Sequence, residues 1–290
     1  MFPASFDYVR PSSIAEAVRF LNEHPDDAKV LAGGQSLIPM LKLRLASFQY
    51  LVDIGRLTEL QRVEEHDGAL QIGSLVRHAT IETSELIEQG CPLLAETAAE
   101  IGDVQVRNRG TIGGSLSHGD PAADLTAAAL AAEAQMIVTG PGGERTIAAQ
   151  DFFTDLMTTA LGPNEILTLI RVPKFGLRTG SAYVKMHQQA SGFAITGVAS
   201  VVRLDPLGRV ESVRAGVTGV GSIPYRARKV EEALQGKMPD AHAIEEASRH
   251  AADGVDPLSD IHASAEYRRE MAVLFTSRSL EKALARAGKK

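Results

Sequence analysis

The sequence predicts an α+β fold in two domains, and three observations support this. Its 290 residues suit about two domains at roughly 150 residues each. Strand-like and helical patterns alternate in the first half, whereas strand-like runs precede helical patterns in the second. Between the halves, Lys174–Gly180 is short and basic and contains glycine, as linkers do. We therefore predict one domain at 1–176, with subdomains at about 1–57 and 58–176, and a second at 177–290.

The first subdomain is predicted to contain a helix followed by a βαβ unit. A capping box that starts at Ser13 is followed by apolar residues at helical spacing, which predicts a helix to about Glu23. Lys29–Ala32 and Tyr50–Ile54 are predicted strands. A glycine turn at 33–36 and an apolar segment join them, so the turn should lie at the carboxyl end of the first strand.

The second subdomain is predicted to start with a hairpin and to contain short helices. Asp67-Gly68 between two strand-like runs is a strong hairpin signal. The later predicted elements are helices at 81–88, 93–101 and 122–134, a loop rich in Arg and Gly at 103–120, a hairpin around 141–143 and a strand at 165–172.

The second domain is predicted as a layer of three strands and a group of helices. The strands lie at about 181–187, 193–204 and 210–217, and the helical patterns start at Tyr225, Ala241 and Ser264.

Composition excludes several classes of function. The net charge of −6 provides no positive field for a nucleic-acid backbone, so we expect no nucleic-acid partner. Cys91 is the single cysteine, so the chain can build neither an iron–sulfur cluster nor an intramolecular disulfide. We predict that Cys91 is a small, half-buried apolar residue rather than a nucleophile. No metal site is predicted, because no H-E-x-x-H pair occurs and His242 and His250 fit a solvated helix face.

The sequence also predicts a compartment. The first ten residues lack the apolar core of a secretory signal, and no apolar run is long enough for a transmembrane helix. A cytoplasmic location is therefore expected.

Two glycine-rich segments carry the functional signal. The first glycine loop, Ala32–Ser36, follows a predicted strand, and the second glycine loop, Thr111–Ser115, precedes an alanine-rich helix. Paired glycines allow close approach to a ligand and can turn backbone N–H groups toward a diphosphate. Taken alone, each loop is better explained as a simple turn, and it is the combination of the two that favours a ligand site. The chain has neither G-x-G-x-x-G before a helix nor G-x-x-x-x-G-K-[ST], so a dinucleotide would be held in another way.

Three ordered motifs resemble one family. They are LAGGQSLIPML at 31–41, RNRGTIGGSL at 107–116 and DPAAD at 120–124. The chain closely resembles the FAD-binding medium subunits of molybdenum hydroxylases, especially those of the aerobic carbon monoxide dehydrogenase and xanthine dehydrogenase type. The resemblance continues through 219–227 and Tyr267-Arg268-Arg269 to the end of the chain.

The resemblance implies a fold and a cofactor site. The first domain would be a PCMH-type FAD-binding domain of two α/β subdomains, and the second a domain with a three-stranded antiparallel sheet and a helical bundle. FAD would be bound non-covalently, with both glycine loops around its diphosphate. The implied cofactor residues are Ala32, Gly33, Gly34, Gln35, Ser36, Ile101, Thr111, Ile112, Gly113, Gly114, Ser115, Asp124, Leu167 and Lys185.

Individual roles follow from the same resemblance. Asp124 would accept hydrogen bonds from cofactor hydroxyls, and Lys185 would approach the flavin. Ile101 and Leu167 would line apolar cofactor surface. Alternatives stay open at this point: Ile101 and Leu167 fit ordinary core positions, Lys185 fits a solvated strand face, and Asp124 fits the first turn of the next helix.

Two positions depart from related patterns. Gln35 stands where covalent flavin oxidases of the wider PCMH group often carry the attaching histidine. Phe193 stands where carbon monoxide dehydrogenase-like chains tend to have a ring with a polar atom, which weakens an assignment to carbon monoxide.

The function implied is electron transfer inside a complex. A large partner would hold the molybdenum cofactor, a small partner two [2Fe–2S] clusters, and this chain would pass electrons through FAD to an external acceptor. The assembly implied is a dimer of heterotrimers. No catalytic acid or base is predicted. The alternatives are a self-sufficient FAD oxidoreductase of the PCMH group and a scaffold without flavin. The substrate, the acceptor, the docking face and the role of Phe193 are not specified by the sequence.

Overall fold

A three-stranded parallel sheet forms the amino-terminal unit of the structure, a computed structural model that describes residues 2–288. Its elements are β1 (Asp7–Val9), α1 (Ile14–Glu23), β2 (Ala28–Leu31), α2 (Leu37–Leu43) and β3 (Tyr50–Asp53). The strand order is β1-β3-β2, and both pairings are parallel. The predicted βαβ unit is therefore present, and the first glycine loop joins β2 to α2.

Helix α1 forms where its capping signal predicts. The Ser13 side chain accepts a hydrogen bond from the Glu16 backbone N–H, and Ala17, Val18 and Leu21 are buried on one face. The Glu16 carboxylate accepts from the Ser12 backbone N–H rather than from that of Ser13.

The second unit is a five-stranded antiparallel sheet with short helices against it. A 3-10 turn at Thr58–Gln61 precedes it. The elements are β4 (Val63–His66), β5 (Ala69–Gly73), α3 (His78–Thr83), α4 (Glu85–Gly90), α5 (Pro92–Ala99), α6 (Val104–Arg107), α7 (Ile112–His118), α8 (Asp124–Ala131), β6 (Gln135–Gly140), β7 (Gly143–Ala148), α9 (Ala149–Phe152), β8 (Phe153–Asp155), β9 (Thr158–Thr159) and β10 (Ile166–Pro173). The sheet order is β4-β5-β10-β6-β7, and β8 pairs with β9.

The carboxyl-terminal unit is an antiparallel sheet covered by helices. Its elements are β11 (Thr179–His187), β12 (Ala194–Leu204), β13 (Val210–Thr218), β14 (Tyr225–Arg226), α10 (Arg228–Leu234), α11 (Ala241–Ser248) and α12 (Ala265–Ala287). Helix α12 lies along β11 and β12. The three predicted strands are present, and β14 adds a two-residue edge strand.

Helix α8 connects the second unit to the carboxyl-terminal sheet. All eight of its residues are buried, and alanines allow close approach on every side. At the contact with β13, a Cβ on Gly216 would lie 2.2 Å from the Ala127 carbonyl oxygen. The backbones therefore meet directly, and the start of α8 is held at the boundary between the two sheets.

Three sequence predictions on local structure were wrong. The loop predicted at 103–120 contains α6 and α7, because Asp103 and Thr111 each cap a short helix. The single helix predicted at 81–88 is two helices, since Ser84 is extended and its hydroxyl caps α4. The helix predicted from Tyr225 starts at Arg228, because Tyr225 pairs with Val217 in the sheet.

Cys91 is completely buried, deeper than the half-buried position that the sequence predicts. Burial raises the pKa of its thiol to about 12, so the thiol is protonated at neutral pH and is not a nucleophile. Within residues 2–288, no helix is both long and apolar enough to cross a bilayer.

Candidate functional site

The first glycine loop presents a run of free backbone N–H groups. Gly34 has φ +73°, a left-handed conformation that glycine adopts without strain. Among the residues that the structure describes, none accepts a hydrogen bond from the N–H groups of Gly33, Gly34, Gln35 or Ser36. A bound anion can accept hydrogen bonds from such a run of four consecutive free amides, which here lies on a half-buried turn.

The second glycine loop is arranged differently. It forms the first turn of α7, where the Thr111 hydroxyl accepts a hydrogen bond from the Gly114 N–H at 3.1 Å. The N–H groups of Ile112 and Gly113 donate to the carbonyls of Val76 and Ser74. The sequence predicts amide donors from both loops, but the structure provides a run of them only in the first. In the second loop, the N–H groups of Ile112, Gly113, Gly114 and Ser115 all donate to acceptors within the protein.

The two loops lie side by side although about 80 residues separate them in sequence. A Cβ on Gly33 would lie 2.3 Å from the Arg109 carbonyl oxygen, and a Cβ on Gly114 would lie 3.8 Å from the Ala32 Cβ. Contacts this close require glycine at position 33. The first and second glycine loops therefore converge on one region of the molecule.

Ser74 links the second glycine loop to β10. Its N–H donates to the Thr168 carbonyl at 3.0 Å, and its carbonyl accepts from the Gly113 N–H at 2.9 Å. Leu167 is next to Thr168 at a β-bulge and is 3% exposed within the apolar core. The structure thus gives Leu167 the core position that the sequence left open as its alternative, and a cofactor contact by Leu167 stays a prediction.

A buried ion pair lies where α8 meets β11. Lys185 Nζ is 2.9 Å from Asp124 Oδ1 and 3.0 Å from Asp124 Oδ2, and it also donates to the Glu100 carbonyl at 2.7 Å. The Tyr183 hydroxyl donates to Asp124 Oδ1 at 2.5 Å. Lys185 is therefore not on a solvated strand face. Both oxygens of the Asp124 carboxylate already have protein donors, and the cofactor contacts of Asp124 and Lys185 stay predictions.

Burial controls the titration of this cluster. It raises the pKa of the Asp124 carboxyl, while the charge of Lys185 and the hydrogen bond from Tyr183 act in the opposite direction. Burial and the adjacent carboxylate raise the pKa of Tyr183 well above its usual value. The tyrosine therefore keeps its proton and acts as a hydrogen-bond donor.

Two surface segments lie near the Asp124–Lys185 ion pair, one after α5 and one before β12. Ile101 is half-buried against the core, next to Glu100. A Cβ on Gly192 would lie 3.5 Å from the Gly102 Cα, so the turn before β12 contacts the segment that follows α5. On that turn, Phe193 is 42% exposed.

His78 supports the second glycine loop from within the protein. Its ring fills the space beside Gly110, where a Cβ would lie 2.7 Å from His78 Cδ2. Burial and the Arg107 charge lower the pKa of His78 to about 4, so the ring is neutral at pH 7. Arg107 itself pairs with Glu82 and donates to the Ile101 carbonyl. These two contacts fix the segment that leads into the second glycine loop.

Sequence reasoning assigned no role to Tyr183, Ser74 or His78. Only Tyr183 had a usable signal: it is two residues before Lys185 on a predicted strand, so both side chains lie on the same face. Ser74 and His78 contact the second glycine loop through pairings that are distant in sequence, and no local pattern marks them.

A depression of about 420 Å³ lies on the carboxyl-terminal unit between β13 and α10. Of its charged groups, Arg228 and Glu231 pair with each other, and Glu231 also accepts from Arg226. This depression has neither a run of free amides nor a glycine turn among its lining residues. Within residues 2–288, no group of three or more His, Cys, Asp or Glu side chains could hold a metal ion.

Two family models match the chain. A model described as the FAD binding domain in molybdopterin dehydrogenase matches residues 4–175, and one described as the CO dehydrogenase flavoprotein C-terminal domain matches residues 181–283.

Similar proteins match over nearly their whole length. The chain is 39% identical to the 6-hydroxypseudooxynicotine dehydrogenase complex subunit alpha of Paenarthrobacter nicotinovorans, covering 99% of this chain and 97% of that protein. It is 38% identical to the carbon monoxide dehydrogenase medium chain of Hydrogenophaga pseudoflava, covering 99% of each. A solved structure of carbon monoxide dehydrogenase from H. pseudoflava, which lacks the Mo-pyranopterin moiety of its cofactor, aligns with a TM-score of 0.96 at 40% identity, over 98% of this chain and 99% of that one.

Proposed function

Because the chain belongs to the family of FAD-binding medium subunits of molybdenum hydroxylases, we propose that it is the electron-transfer flavoprotein subunit of such an enzyme. It takes electrons from the [2Fe–2S] clusters of a small partner subunit and delivers them to an external acceptor. The observation that carries this proposal is the run of four free amides at Gly33–Ser36, which faces the second glycine loop.

The residues at the two loops fit a diphosphate. The N–H groups of Gly33, Gly34, Gln35 and Ser36 are the donors of the first loop, and a diphosphate is the part of FAD that needs such donors. On the other side, Thr111 offers its N–H and Ser115 its hydroxyl, neither of which has a partner among the described residues.

When bound, FAD supplies the redox chemistry, and the protein supplies its position and its surroundings. Asp124 and Lys185 are proposed to lie under the flavin end, with Ile101 at its rim. No residue of this chain is assigned a catalytic proton transfer. The single cysteine is buried, so the iron–sulfur clusters must belong to another subunit.

The partners proposed are a large subunit with the molybdenum cofactor and a small subunit with two [2Fe–2S] clusters, in a dimer of heterotrimers. The names of the similar proteins describe a medium chain and a subunit of a complex, which supports an assembly of this type. Those two relatives have nearly equal identity to this chain but are named for different substrates. The medium subunit therefore does not specify the substrate, which the large subunit determines.

Expression of this chain with the other genes of its complex tests the proposal. We expect the tagged chain to co-purify with an iron–sulfur subunit and a molybdenum subunit, and its flavin to be reduced when substrate is added to the complex. The control is the same complex without FAD, in which the clusters are reduced but acceptor turnover is lost. Substrate turnover by the purified flavin-loaded chain alone would contradict the proposal and support a self-sufficient oxidoreductase.

A further inference from the structure

We propose that Tyr183 is a positioning residue of the flavin site, which holds the Asp124 carboxylate in place against Lys185. The inference rests on the proposed function, because it assigns a role within the same FAD site. Tyr183 touches neither glycine loop in the structure and acts only through Asp124.

Two donors on β11, the Tyr183 hydroxyl and the Lys185 ammonium, hold the Asp124 cluster together. Tyr183 and Lys185 lie on one face of β11, and both reach Asp124 at the start of α8, with distances of 2.5 Å from the hydroxyl and 2.9 Å from the ammonium. The ammonium also donates to the Glu100 carbonyl, directly before Ile101. Two of the proposed cofactor residues, Asp124 and Lys185, are therefore linked in one buried network, which is bonded to the backbone directly before a third, Ile101.

The neighbouring strand gives the tyrosine a path to the carboxylate. In the register of β11 and β12, Lys185 is opposite Gly197. A Cβ on Gly197 would lie 2.2 Å from the Tyr183 hydroxyl oxygen and 3.0 Å from its ring carbon Cζ. The tyrosine ring therefore crosses β12 where a side chain is missing. Glycine at position 197 therefore leaves room for the Tyr183 hydroxyl that bonds to Asp124.

Loss of the hydroxyl should change the charge state of the cluster as well as its geometry. Asp124 faces Lys185 and Tyr183 on β11 and the Glu100 carboxylate beyond α5, whose charge raises the Asp124 pKa. Lys185 and Tyr183 both lower it. Without the Tyr183 hydroxyl, the buried carboxylate takes up a proton at higher pH, and the charge that Lys185 requires as its partner is lost.

Tyr183→Phe in the full chain tests the proposal by FAD titration. A hydrogen bond to a charged group predicts FAD binding weaker by about tenfold at pH 7. Tyr225→Phe is the matched control, because Tyr225 is a half-buried tyrosine on the same sheet and donates to a carbonyl, that of Ala251, at 3.0 Å. We expect Tyr225→Phe to keep wild-type FAD affinity.

The pH profile of FAD affinity distinguishes positioning from a purely structural role. In Tyr183→Phe, the fall in affinity on the acid side should move to higher pH, because Asp124 is protonated more easily. A tyrosine that only fills space would lower the melting temperature and leave this profile unchanged.

A double-mutant cycle tests the part played by Gly197. Gly197→Ala should weaken FAD binding in the wild type by displacing the hydroxyl. The loss should be smaller in the Tyr183→Phe background, where the closest clashing atom is absent. Equal losses in both backgrounds would contradict the role of Gly197 in placing the hydroxyl.

Wild-type affinity and an unshifted profile in Tyr183→Phe would overturn this inference and leave the proposed function intact. Failure of the wild-type chain to bind FAD would instead overturn the proposed function. The two failures are therefore distinguishable in one set of titrations.

Discussion

Gly114→Asp is expected to weaken FAD binding by roughly a thousandfold, while wild type binds one FAD per chain. A Cβ at this position points between the Thr111 hydroxyl, at 2.8 Å, and Ala32 of the first glycine loop, at 3.8 Å. The new carboxylate would therefore stand beside the diphosphate. Two like charges 4 Å apart near a protein surface repel by about 4 kcal/mol, which corresponds to roughly a thousandfold in affinity.

The variant should remain folded, so the loss can be assigned to binding. Gly114 is the third residue of α7 after its cap, and a negative charge is favourable at the start of a helix. Gly142→Asp is the control, because it adds the same charge in the β6–β7 turn, where a Cβ meets nothing within 4 Å and the backbone is not left-handed. The measurement is flavin fluorescence on titration with FAD. Wild-type affinity in Gly114→Asp would remove the second glycine loop from the site.

Lys185→Met is expected to destabilise the chain by about 3–5 kcal/mol at pH 8. The substitution keeps the length of the side chain but leaves the Asp124 carboxylate buried with only the Tyr183 hydroxyl as a donor. A buried charge without its partner is costly, and methionine cannot donate to the Glu100 carbonyl. The double variant Asp124→Asn/Lys185→Met should be more stable than Lys185→Met alone, since no charge is then left buried.

The loss of folding stability in Lys185→Met should depend on pH in a defined direction. Burial already raises the pKa of Asp124, and removal of the Lys185 charge raises it further. The folded variant therefore binds a proton that the unfolded chain has released, and its stability falls as pH rises from the unfolded pKa through the folded pKa. We expect a smaller loss at pH 5 than at pH 8.

Urea unfolding followed by circular dichroism at pH 5 and pH 8 measures these free energies of unfolding. Lys282→Met is the control, because Lys282 pairs with Glu96 on a half-exposed face and should contribute less than about 1 kcal/mol. Equal, small costs for both lysines would show that the Asp124–Lys185 pair does not have the stabilising role described here.

Local signals predicted the first unit well. Helix α1 has the predicted bounds because its cap and apolar spacing are contained within the helix itself. The turn between β4 and β5 likewise depends on two adjacent residues, Asp67 and Gly68. Strand β1 was missed, because three residues give no periodic pattern and its pairing with β3 joins residues more than 40 positions apart.

The site was predictable in composition but not in hydrogen bonding. The motifs identified both glycine loops, yet which amides are free depends on tertiary partners such as Ser74 and Val76. The resemblance also marked Asp124 and Lys185, but gave no sign that they bond to each other. That contact depends on the packing of α8 against the carboxyl-terminal sheet at β12 and β13, and sequence spacing carries no information about it.

A crystal structure of this chain with FAD bound would show where the diphosphate lies. We expect diphosphate oxygens within hydrogen-bonding distance of the N–H groups of Gly33–Ser36, with Thr111–Ser115 on the other side of the same diphosphate. A diphosphate bound elsewhere, with the amides of the first glycine loop still free, would contradict this expectation.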